Sequence, residues 1–244
     1  MKKWKVVLTA ALVMFLAAGP GLAGNEEGVF DGAQFPEWLE AEGIWRTTPA
    51  GQFVDDEAYK PTEEDIETMM NMATMAPTSM GLNDILWVVL TDTEAQKDFL
   101  GDEHVTDSTI LALVFGDRLY PEDESAGGHA QSLSRGYYNP GISTGYLNLA
   151  AISLGYSTRM YMTTKYANAD PPRPISAEEH ILKDSGYEYV LGSAHPERGE
   201  KGDTIEAWGN LKFVGGVLIG TLDEEAETTV TQSIYKENWV IHDE

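Results

Sequence analysis

The five histidines, His104, His129, His180, His195 and His242, never stand two or four residues from one another, so no pair is spaced to grip a zinc ion from one helix or strand. A metal site is not expected. Ser143-Thr144-Gly145 and Ser153-Leu154-Gly155 lack the strand, sharp turn and helix that expose a nucleophilic serine, so hydrolase chemistry is not expected either. Gly215-Gly216-Val217-Leu218-Ile219-Gly220 has the glycines of a phosphate loop around an apolar strand, which points to packing. With no cysteine, the chain has no thiolate nucleophile, disulfide or iron–sulfur cluster. Met69, Met70, Met72, Met75 and Met80 cluster within twelve residues. Two readings stand for them: Met69 and Met70 in a core with the others lining an adaptable pocket, or a thioether site for Cu(I). No catalytic dyad stands among these residues, so any site must be assembled by the fold.

Such a site needs elements to position it, and the chain reads as alternating helices and strands. Thr62 and Asp65 make a capping-box start after Pro61, and Ile66, Met69, Met70 and Ala73 share one helical face, predicting a helix that ends near Ala76-Pro77. The apolar runs Ile85–Leu90 and Ile110–Phe115 predict strands buried on both faces, with a polar helix over Thr93–Leu100 between them. Gly145–Leu154, apolar almost all round, predicts a buried central helix. Lys212–Leu222 predicts a strand in which Gly215-Gly216 marks a bulge or a close backbone approach. Phe35–Trp45 suits a short helix. Segments 119–138 and 165–210 lack periodicity and read as long loops, either binding lids or variable insertions. Tyr187, Tyr189 and Trp208 in the second could cap a ring or simply pack.

The 244 residues carry 40 acidic against 16 basic side chains, a formal charge of −24. That length suits a single sizeable core, and so acidic a surface repels a phosphate backbone; nucleic acid is not an expected partner. Residues 1–23 read as a secretory signal peptide: a basic start with Lys2, Lys3 and Lys5, a 13-residue apolar run from Val6 to Ala18, and small residues up to Ala23. The run is too short for a typical membrane span, so the mature chain, 24–244, is expected to be one exported domain, periplasmic or extracellular, without stable membrane insertion. Cleavage removes three lysines and no acid, taking the charge to −27.

Ala76-Pro77-Thr78-Ser79-Met80-Gly81-Leu82-Asn83-Asp84-Ile85-Leu86-Trp87-Val88-Val89-Leu90-Thr91-Asp92 resembles the helix–turn–strand signature of the nitroreductase family, an Ala-Pro-Ser turn leading through Asn and Gln-Pro-Trp into a strand closed by Thr-Asp. Leu149-Ala150-Ala151-Ile152-Ser153-Leu154-Gly155 is similar to the end of that family's buried helix, and Leu218-Ile219-Gly220 to its late strand. The resemblance implies an α+β fold, a mixed sheet flanked by helices with a C-terminal arm able to swap between subunits. It implies a homodimer with FMN at the subunit interface, passing electrons to a small aromatic, nitro or quinone-type substrate. In that arrangement Arg46 and Thr47 take the phosphate, with Lys236 in reserve. Pro77, Thr78, Ser79 and Met80 line the flavin from the partner, Asn83 reaches the ring, and backbone amides near Tyr161, Met162 and Thr163 approach N5. Gly81 replaces the family's Asn, Asp84-Ile85 replaces Pro-Trp, and Asp223-Glu224-Glu225-Ala226-Glu227 stands where the family often carries basic residues. Carboxylates there oppose a phosphate unless they point away. An FMN-free relative holding another ligand in the same pocket is therefore the alternative.

Overall fold

The computed structural model describes residues 46–47, 52–78, 85–101, 104–117, 128–161, 177–192, 194, 198–223, 226 and 229–230. The segments expected to be a signal peptide (1–23), a short helix (35–45) and a C-terminal arm lie outside them. One compact unit spans Thr47–Thr229.

The unit is built on a four-stranded sheet, β2 (Ile85–Leu90), β3 (Ile110–Asp117), β7 (Leu211–Gly220) and β4 (Ser157–Tyr161), in that spatial order, and every pairing among them is antiparallel. The alternation of side chains along each strand sends two hydrophobic sets to opposite faces. Ile110, Ala112, Val217 and Ile219 meet Met69, Ala73, Leu147, Ala150 and Ala151 of the helices α1 (Glu63–Thr74) and α3 (Gly128–Ser153). Leu111, Leu113, Phe115 and Leu218 meet Phe99 and Leu100 of α2 (Thr93–Leu100), Leu182 of α4 (Ala177–Ser185), and Tyr189 of β5 (Glu188–Val190).

Expected boundaries hold for α1, α2, β2 and β3, and the physical signals behind them are present. Thr62 and Asp65 form the reciprocal capping box, with Asp65 N–H to Thr62 Oγ1 at 3.2 Å and Thr62 N–H to Asp65 Oδ2 at 3.0 Å. Asp92, which closes the β2 segment, caps α2 by accepting from Ala95 N–H at 2.8 Å. Gly155 has φ +88° and ends α3: its N–H bonds to the Ile152 carbonyl and that of Tyr156 to the Ala151 carbonyl, both at 3.0 Å. This is the Schellman closure that a glycine makes cheap. The bulge in β7 also exists. Val114 faces Gly215 and Phe115 faces Phe213, leaving Val214 as the extra residue.

Three expectations need correction. β3 is buried from Ile110 to Gly116, but in β2 only Val88 is buried, and among the described residues β2 has a single neighbouring strand, β3. The central helix starts at Gly128 instead of Gly145, absorbing the end of the supposed 119–138 loop and carrying Pro140 in its interior. Proline there obscures the periodicity; Thr144 Oγ1 donates to the Pro140 carbonyl at 2.8 Å. Nor is 165–210 a bare loop. It contains α4, β5 and β6 (Thr204–Glu206), the two strands pairing antiparallel through Tyr189 and Ile205. Tyr189 packs in the core there, and Lys183 lies 5.5 Å from the centre of the Trp208 ring. These elements are too short to show a period above their prolines and charges.

Candidate functional site

The residues expected to form one site fall on three parts of the fold. The first is the end of α1. Its last turn runs through Met75 and Ala76 to Pro77, which is exposed, and Thr78, which is half-buried. Thr78 lines a small cavity with Ala73, Thr74, Ala76, Ile85, Trp87 and Ser143, about 10 Å³, room for about one water. Ser79, Met80 and Asn83 lie outside the described residues.

The second part is the end of β4. Tyr161 occupies one row of the sheet with Gly216, Leu113 and Val88, so three strand spacings, roughly 14 Å, separate it from β2. Gly216 leaves that row open: a Cβ on it would lie 3.3 Å from Leu113 Cδ2 and 3.4 Å from Leu111 Cδ1. The Tyr161 ring stands edge-on to His104, centroids 5.7 Å apart, and the Arg159 guanidinium lies 5.4 Å from its centre. Burial pushes the Tyr161 phenol above its ordinary pKa, partly offset by Arg159. Its hydroxyl is buried with no hydrogen-bond partner among the described residues. Met162 and Thr163 lie outside them.

The third part is β1 (Arg46–Thr47), which pairs with β8 (Thr229–Val230) in a separate two-stranded sheet, while Phe53 bridges Leu222 nearer the core. Asp223, first of the acidic run, is exposed, and its N–H donates to the Gln52 carbonyl at 3.0 Å. Lys236 lies outside the described residues.

The turn after α1 and the end of β4 thus stand at opposite edges of one sheet. The chain alone does not bring Thr78 and Tyr161 together. Of the methionine cluster, Met69 is fully buried, Met70 and Met72 pack against the α1–α3 core, and Met75 is 71% exposed. No group of three histidine or carboxylate side chains converges as a metal site among the described residues.

Two groups at this site went unforeseen. Trp87 Nε1 donates to Ser143 Oγ at 2.9 Å, and Ser143 Oγ donates to the Ala73 carbonyl at 2.7 Å. The signal for Ser143 is positional: Asn139, Ser143, Leu147, Ala150 and Ala151 recur at helical spacing and form the buried stripe of α3.

No family model and no curated protein matches the chain. Solved structures do. A candidate nitroreductase from Bacillus subtilis superposes at TM-score 0.59 with 15% identity, covering 86% of this chain and 99% of that one. An FMN-dependent nitroreductase from Clostridium difficile superposes at TM-score 0.53 with 13% identity, covering 83% and 99%. Of NfrA2 from B. megaterium, at 18% identity and TM-score 0.49, 75% of this chain spans 65% of the length. The fold is nitroreductase-like, an α+β arrangement of helices on an antiparallel sheet.

Proposed function

We propose that the chain is an exported, FMN-dependent oxidoreductase of the nitroreductase type, acting as a homodimer on a small aromatic, nitro or quinone-type substrate. The observation that carries this reading is the superposition on an FMN-dependent nitroreductase, covering 83% of this chain and 99% of that one; the quoted Ala76–Asp92 segment, which joins α1 to β2 in sequence, supports it.

The donor chemistry of the described residues fits a flavin. Among the described residues β4 pairs with β7 alone, so its other side is where a ligand would meet the sheet. The buried Tyr161 hydroxyl has no hydrogen-bond partner among the described residues, and Thr78 offers a second hydroxyl. Separation of Thr78 from Tyr161 across the sheet supports a pocket completed by two chains, with the turn of one and the β4 end of the other. Arg46 would take the phosphate. When bound, FMN supplies hydride and electron transfer; the polypeptide binds and orients it, excludes water, and donates hydrogen bonds.

Purified full-length chain tests the reading. An absorbance band at about 450 nm that persists through gel filtration supports it. A colourless protein that FMN cannot reconstitute refutes it and favours the FMN-free alternative. A sedimenting particle of 26.8 kDa, a single chain, refutes the dimer.

A further inference from the structure

Ser143 is 1% exposed, and its hydroxyl is used twice. It accepts from Trp87 Nε1 at 2.9 Å and donates to the Ala73 carbonyl at 2.7 Å. Ala73 belongs to the last turn of α1, and its carbonyl also accepts from the Ala76 N–H at 3.4 Å, so the Ser143 hydroxyl is its shorter, side-chain donor. Trp87 is the third residue of β2. The chain between them in sequence carries Pro77 and Thr78 and all the other turn positions expected to face the flavin. One buried hydroxyl on α3 therefore holds both ends of that connection, and with Thr78 it lines the same small cavity.

We propose that Ser143 is a positioning residue for the cofactor-binding turn, fixing the end of α1 and the start of β2 to a common point on α3 through Ala73 and Trp87. This rests on the FMN reading. Ser143 acts through Pro77 and Thr78, without a contact of its own to the cofactor. An alanine there would leave a part-buried indole N–H without its acceptor and remove the side-chain donor to the Ala73 carbonyl, and the two ends of the turn would lose their common reference.

The experiment is FMN titration of the full chain, followed by flavin fluorescence, for the wild type, S143A, S143T, W87F and S143A/W87F. S143A weakens FMN binding about tenfold, as expected for one lost buried hydrogen-bond pair. S143T keeps the hydroxyl and restores most of the affinity. The double variant binds no more weakly than S143A, because Trp87 acts through the same hydroxyl. Ser153, whose Oγ donates at 2.7 Å to the Ala150 carbonyl at the far end of α3, is the control, and S153A leaves affinity unchanged. Wild-type affinity in S143A, failure of S143T to recover it, or full additivity of S143A and W87F overturns the proposal. A wild-type chain that takes up no FMN sinks the cofactor reading on its own. The positioning role is then read by amide hydrogen exchange: faster exchange across Met75–Trp87 in S143A, with β3 unchanged, upholds it, and unchanged exchange there overturns it.

Discussion

The Tyr156 hydroxyl donates to Asp65 Oδ2 at 2.8 Å, joining two residues 91 positions apart in the chain. Asp65 is the capping-box residue of α1, and the same Oδ2 also accepts from the Thr62 hydroxyl and the Thr62 amide. Tyr156 is placed by the Gly155 closure of α3, immediately before β4. One carboxylate oxygen thus locks the start of α1 to the crossing from α3 into the sheet.

Removing the phenol hydroxyl loses one partly buried, charge-assisted hydrogen bond. Tyr156→Phe should lower unfolding free energy by about 1 kcal/mol, measured by urea denaturation at neutral pH.

The same pair gives the chain two pH dependences. Burial, the bond to Asp65 and the charge of Asp65 together push the Tyr156 phenol up to about 12. A group raised in the folded state stabilises fully below its unfolded pKa, about 10, and that contribution is lost as pH rises through 12. Because Tyr156 is only partly buried, solvent screening holds the contribution to about 1 kcal/mol. Denaturation midpoints measured from pH 9 to 12 should fall more steeply for the wild type than for Tyr156→Phe. For Asp65, burial acts upward, but the hydrogen bonds from Thr62 and Tyr156 outweigh it and hold the carboxyl below its ordinary value. Its contribution is present above about pH 3.9 and is lost as pH falls through the lower, folded pKa. Asp65→Asn should be less stable at neutral pH and show a shallower acid limb.

Gly220 packs more tightly than nearly all side chains do. A Cβ there would sit 3.0 Å from both Phe53 Cδ1 and Thr109 Cγ2 and 3.3 Å from the Ser108 carbonyl oxygen. Gly220→Ala should cost about 1–3 kcal/mol through overpacking, whereas Gly141→Ala, with open space around its Cβ, should not destabilise α3. Equal midpoints for Gly220→Ala and the wild type would contradict this packing.

Tyr161 offers the opposite sign. Its buried hydroxyl lacks a partner among the described residues, so removing it relieves a desolvation penalty. Tyr161→Phe should leave the ligand-free chain as stable or about 1 kcal/mol more stable, and should weaken FMN binding if the hydroxyl serves the ligand. Calorimetry without and with FMN separates the two effects; a large loss of stability without ligand would show that the hydroxyl is already satisfied.

Much of this architecture was legible from local chemistry. Thr62, Asp65 and Asp92 are short-range caps, and Leu154-Gly155 is a short-range stop, so their helix ends follow from a few neighbouring residues. The run Ile110–Phe115 is apolar without alternation because both its faces are covered. β2 has the same apolar run, yet among the described residues it has one neighbouring strand, since no local pattern states how many neighbours a strand will have. The start of α3 was hidden by Pro140 and its polar surroundings, and α4, β5 and β6 by their brevity.

The candidate site divides along the same line. Residue types and order alone determined the turn Pro77-Thr78 after a helix, the strand that follows it, and the likeness to the nitroreductase fold. Only the tertiary structure decided that Tyr161 and Thr78 lie at opposite edges of one sheet, and that Ser143 ties Ala73 to Trp87. Caps, turns and periodicity act over a few residues and are written in their neighbours. Strand order and a hydrogen bond spanning 56 or 70 positions depend on which faces meet when the whole chain buries its apolar surface, and that is set by the fold as a unit.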